Sequence, residues 1–118
     1  MAELHDLTLV EQAAAIRDRS VSPVELAEHY LARIDRLNDM LGAFVTVTAD
    51  RALEQAKQAE RAVGDGADLP ALHGVPTAIK DLNLTAGVPT RFGTSAWDPV
   101  DAGVDDAVVV RMKSAGLI

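Results

Sequence analysis

Residues 22–42 constrain the fold more than any other part of this chain. Ser22-Pro23-Val24-Glu25 offers a hydroxyl for a helix N-cap, a proline at the first helical position and a glutamate at the third. The hydroxyl can accept an otherwise unpaired backbone N–H, and proline has no N–H to lose there. Behind this start Val24, Ala27, Tyr30, Leu31, Ile34, Leu37 and Leu41 recur at helical spacing. That spacing places them on one face of an α-helix. Asn38, Asp39 and Gly42 then supply its end.

The rest of the chain alternates between element types. Thr8 followed by Glu11 is a capping-box pattern, with Leu9, Val10, Ala13, Ala14 and Ile16 as the helix behind it. The β-branched run 43–48 predicts a strand. Ala52, Leu53, Ala56, Ala59 and Val63 return to helical spacing, and Gly64 and Gly66 close that helix. After a connector at Leu69-Pro70-Ala71-Leu72, residues 75–79 predict a second strand, in which Pro76 requires an edge or a first position. Residues 80–103, with Gly87, Pro89, Gly93, Pro99 and Gly103, form a long loop, and long loops tend to be functional. Asp105 is placed to cap a last helix through Ala107, Val108, Val109, Met112 and Ala115, stopped by Gly116. Gly116-Leu117-Ile118 reads as the opening of another buried strand, so the chain reads as the N-terminal part of a longer protein. This element order predicts an α/β layered fold in one domain.

Composition narrows the function classes. Apolar residues make up 48% of 118 and aromatic residues only 3%, which predicts a core of small side chains on closely packed helices. A net charge of −7 argues against nucleic acid and anionic membranes as partners. Asp98, Asp101, Asp105 and Asp106 bunch in what reads as a solvated loop and helix start. With no cysteine, thiolate catalysis, thiolate metal sites and disulfides are excluded. The first six residues lack a secretory pattern, and no apolar run approaches the ~18 residues of a membrane span, so a cytoplasmic protein is expected.

The candidate chemistry lies at His73-Gly74-Val75-Pro76-Thr77-Ala78-Ile79-Lys80-Asp81. A lysine at the end of a buried strand is pushed toward the neutral amine, which is a base. On spacing alone, an ordinary lysine reaching solvent or pairing with Asp81 competes with that reading. Ala78-Ile79-Lys80 also matches the end of the protein-kinase lysine strand. A kinase would need a third glycine where Leu69 stands after Gly64-Asp65-Gly66, and Asp81-Leu82-Asn83 does not replace its metal-binding segment. Thr85, Thr90, Thr94 and Ser95 are the hydroxyls near Lys80, but such groups in turn-rich loops usually bond the local backbone. His5, His29 and His73 are widely separated, with no pair at helical ligand spacing. His29 is expected to be an ordinary satisfied imidazole on the second helix, and His73 is placed to orient the loop. Neither a metal site nor a cofactor is expected.

The run Leu72-His73-Gly74-Val75-Pro76-Thr77-Ala78-Ile79-Lys80-Asp81, with Thr85-Ala86-Gly87-Val88-Pro89-Thr90 and Gly93, resembles the N-terminal part of an amidase signature enzyme. Residues 106–116, Ser22-Pro23-Val24-Glu25-Leu26 and Ala43-Phe44-Val45-Thr46 share the family's look. The resemblance implies that 1–118 is the N-terminal segment of a single amidase domain, helical over 1–42 and α/β over 43–118. It also implies amide hydrolysis by a serine nucleophile, a bridging serine and a lysine, with Lys80 matching that lysine. Both serines and the Gly/Ser-rich oxyanion segment are expected beyond Ile118, so this chain alone is expected to be inactive. Arg91 and Thr94 depart from the family's usual threonine and serine. The implied partner is a small-molecule amide, and a homo-oligomer stays open. Two alternatives accompany this reading: an amidotransferase subunit that releases ammonia from glutamine, and a non-catalytic helical interaction module.

Overall fold

Local capping chemistry starts the first two helices. The computed structural model describes residues 3–118. After a 3-10 turn at Leu4–Asp6, the Thr8 hydroxyl accepts the Glu11 N–H at 3.3 Å, and the Glu11 carboxylate accepts the Thr8 N–H at 2.7 Å. This reciprocal pair opens α1, Leu9–Arg17. The Ser22 hydroxyl accepts the N–H groups of Val24 and Glu25 at 3.0 and 3.2 Å, and Pro23 is the first residue of α2, Pro23–Leu41. Gly42 ends α2 at φ +59°, and the Asn38 amide brackets Phe44 through both its N–H and its carbonyl. The remaining helices are α3, Ala49–Gly64, and α4, Ala107–Ser114.

The core sits where α1, the first turns of α2, the end of α3 and the segment 69–75 meet. Ala13, Ile16, Leu26, Val63 and Val75 are buried together there, with Val21, Tyr30 and Leu117 packed against them. Ala27, Ala56 and Ala59 are also buried as α2 packs on α3, which is the small-residue packing expected from composition. Two helical faces differ from expectation. On α1, Leu9 and Val10 are exposed, while Gln12 is 4% exposed. Gln12 is tolerated inside because its amide donates to the Leu7 carbonyl at 3.0 Å and to the Tyr30 hydroxyl at 2.7 Å. On α2, Leu26 is the wholly buried leucine, whereas Leu31, Ile34 and Leu37 are half-buried and Leu41 is exposed. Only the N-terminal end of the helix is covered.

The two expected strands do not form among the described residues. Residues 43–48 run largely exposed and make no backbone ladder with another described segment, the Phe44 backbone being met by the Asn38 side chain instead. Residues 75–79 are also not a strand, yet they start one. The Ile118 N–H donates to the Val75 carbonyl at 2.9 Å, and the Thr77 N–H donates to the Ile118 carbonyl at 2.8 Å. That is a parallel pairing, and Pro76 sits at the position between these bonds where no donor is needed. The α/β expectation is thus met, among the described residues, only by this short parallel pairing and by isolated antiparallel bridges between Thr85 and Val88 and between Thr90 and Val100, and the described fold is helical.

The last helix also starts one residue later than expected. Asp106 is its N-cap by backbone geometry, and the carboxylates of both Asp105 and Asp106 bond the long loop instead of capping the helix.

Candidate active site

Lys80 is positioned by anchors on either side. Upstream, Val75 is fully buried and the His73 Nε2–H donates to the Ala59 carbonyl of α3 at 2.9 Å, so His73 orients the segment as expected. Downstream, the Lys80 carbonyl accepts the N–H groups of Leu82 and Asn83 at 2.7 and 3.0 Å, turning the chain sharply after the lysine. Between these anchors residues 76–81 line an open groove of about 980 Å³. Its other walls are the half-buried stripe of α2, the run 43–48, and Val109, Met112, Leu117 and Ile118. Lys80 itself is exposed. The burial inferred from its place after an apolar run is not supplied by these residues, because the groove beside it is open.

Asp81 does not serve as a counter-ion in contact with Lys80. Its carboxylate instead accepts the N–H groups of Arg91 and Gly93 at 2.7 and 3.0 Å. Those two bonds, aided by the charges of Arg91 and Lys80, hold its carboxyl below the usual carboxylate range. Phe92, between them, takes a left-handed φ of +55°.

The acidic bunch is likewise more than a solvated surface. Asp106 accepts the Leu84 N–H at 2.8 Å, Asp105 the Ala86 N–H at 2.9 Å, and Asp101 the Gly87 N–H at 3.1 Å. Lys113 binds the other oxygen of Asp105, and this bond with the Ala86 amide lowers the pKa of Asp105. Arg51 of α3 closes the set by donating to the Ala86 carbonyl at 3.0 Å. Acidic side chains fasten the long loop to the start of α4 and Arg51 ties it to α3, and no composition argument could reveal that pairing.

The hydroxyls near Lys80 behave as loop groups. Thr90 is 3% exposed and donates to the Asn83 carbonyl at 3.4 Å, Thr94 accepts the Ala96 N–H at 3.1 Å, and Ser95 is exposed. None is hydrogen-bonded to Lys80 among the described residues.

Sequence spacing missed one juxtaposition. His5 and His29, 24 positions apart, lie with their rings stacked and Nδ1 of His5 2.9 Å from Nε2 of His29. Their separation in the chain gave no periodic signal for this contact.

A model of the amidase family matches residues 25–118, a stretch that includes Lys80. A glutamyl-tRNA(Gln) amidotransferase subunit from Nitrosococcus oceani is 40% identical over 115 residues, covering 98% of this chain and 24% of the relative. A bacterial aryl acylamidase of the amidase signature family superposes with a TM-score of 0.83 at 27% identity, over 95% of this chain and 24% of that one. The crystal structure of an amidase superposes with a TM-score of 0.84 at 28% identity, over 94% of this chain and 25% of that one. The chain thus spans about a quarter of the length of the relatives it matches. Among the described residues no helix is long and apolar enough to cross a membrane. Sequence motif, family match and superposed backbone agree, and the chain belongs to the amidase (amidase signature) family.

Proposed function

We propose that this chain is the lysine-bearing portion of an amidase that hydrolyses a small carboxylic amide to the acid and ammonia or an amine. The observation that carries this is the place of Lys80, within the family-matched stretch and beside an open apolar groove. Neutral Lys80 takes a proton through a bridging serine, and the nucleophilic serine then attacks the amide carbonyl. The amine leaves with a proton, an acyl-enzyme remains, and water releases the acid. Backbone N–H groups stabilise the oxyanion. Both serines belong to sequence outside residues 1–118.

The test compares ammonia release by this chain with that of a longer protein carrying it and the remaining amidase length. The short chain should be inactive. In the longer protein Lys80→Ala or Lys80→Arg should lower kcat/KM by at least about 10²–10⁴-fold, because neither side chain can take up a proton. Turnover by the short chain, or activity retained in either variant, rejects the assignment.

A second reading draws on the Nitrosococcus relative, whose name is that of an amidotransferase component. In that case glutamine is the amide, and a partner protein receives the ammonia. Hydrolysis of simple amides without any partner would favour the free-standing amidase.

A further inference from the structure

Away from the groove, one group of ligating side chains converges. His5, on the turn Leu4–Asp6, places Nδ1 2.9 Å from His29 Nε2 and 3.4 Å from a Glu3 carboxylate oxygen. The ligating atoms of Glu3, His5 and His29 all lie within 4.8 Å of one another. On the other side of the ring, His5 Nε2 meets an Arg33 nitrogen at 2.8 Å and an Asp6 oxygen at 3.8 Å. The protons follow from these contacts. Arg33 can only donate, so His5 Nε2 accepts from it, and the His5 Nδ1–H donates to His29 Nε2.

We propose that Glu3, His5 and His29 form a divalent transition-metal site, with zinc as the best-matched ion. Two nitrogen or oxygen ligands of a tetrahedral zinc lie about 3.3 Å apart, and the two distances from His5 Nδ1 bracket that value. Two imidazoles and one carboxylate form a donor set suited to zinc, with a fourth position left for water. Loading shifts one proton. The metal takes His5 Nδ1, so the Nδ1 proton transfers to Nε2 with no net release. A protonated Nε2 can no longer accept from Arg33 and turns to Asp6, which gives a carboxylate–histidine–metal arrangement. The ion thereby ties the turn before α1 to α2 and replaces a single imidazole hydrogen bond with coordination. This site is independent of Lys80 and needs no amidase activity to be detected.

The experiment titrates the tag-free 118-residue chain with Co²⁺ and then Zn²⁺. One equivalent of cobalt should produce visible d–d absorption of a four-coordinate ion, one equivalent of zinc should remove it, and zinc should raise the thermal midpoint. His29→Ala and His5→Gln should abolish the absorption. Asp6→Asn, which keeps every ligand, should weaken binding about tenfold. Glu3 is exposed, so Glu3→Gln tests the ligand set without disturbing the fold and should also weaken binding. Absence of the cobalt spectrum overturns the proposal, and so does cobalt binding that Glu3→Gln and the histidine variants leave unchanged.

Discussion

At the scale of single residues, Gly116 shows how much one missing side chain holds. It adopts φ +90°, and a Cβ there would lie 2.8 Å from the His73 Cα, inside backbone contact distance. Its carbonyl also accepts the Gly74 N–H at 2.8 Å, next to the parallel bonds at Val75 and Thr77. Any side chain must therefore separate the two segments that position Lys80. Gly116→Ala should destabilise the chain by about 1–3 kcal/mol, read as a lower urea midpoint. Gly93 is the control, since it is also left-handed at φ +68° but its Cβ would meet nothing within 4 Å. Gly93→Ala should cost only the backbone preference, about 1 kcal/mol. Equal losses at both sites would mean that the close approach to His73 contributes nothing. Residues of this kind divide by the range of the forces on them. Ser22, Pro23 and Thr8 are legible in the sequence because capping acts within three residues. The burial of Gln12 is not, because its partner Tyr30 lies 18 positions away.

At the scale of elements, the long loop is held by carboxylates, so its order should depend on pH. Asp81 and Asp105 both have pKa values lowered in the folded chain by hydrogen bonds to their ionised forms. A depressed carboxylate contributes stability above its unfolded pKa, about 3.9, and that contribution is lost as pH falls through the folded value. The amide resonances of Arg91 and Gly93 should therefore move together as pH drops below about 4. In Asp81→Asn this titration should disappear, and the left-handed turn at Phe92 should loosen. Arg91 and Gly93 amide shifts that titrate identically in the parent chain and in Asp81→Asn would rule out Asp81 as the clamp. The same loop explains which elements are legible. Helices carry their own backbone hydrogen bonds, and α1 and α2 their own side-chain caps, so α1 to α4 can be read from the sequence, with α4 displaced by one residue at its start. A strand is completed by another segment, and among the described residues the run 43–48 pairs with none. The loop's clamps join residues 10 to 22 positions apart, a range over which side-chain identity alone carries no register.

For the whole molecule, the question is how a chain exposes so much apolar surface and stays folded. Its accessible surface is 7424 Å², whereas a folded monomer of this mass typically exposes about 6,200 Å². Part of that exposed apolar surface lines the groove, where Leu41 is 62% and Val45 58% exposed beside Phe44 and Val47. Contiguous apolar surface of that kind marks a contact that something else covers. The purified chain should therefore bind hydrophobic dyes and sediment with a concentration-dependent mass. Leu41→Asp combined with Val45→Asp should suppress both effects. Because both side chains are already exposed, each change should alter folding stability by no more than about 0.5 kcal/mol. The helical interaction module makes the opposite demand, since it must close its own core. A monomer with no dye binding and one sharp unfolding transition would support that module and count against an amidase segment built to be covered. Association that the paired aspartates abolish, with the unfolding midpoint unchanged, would locate the uncovered face on the same groove that Lys80 lines.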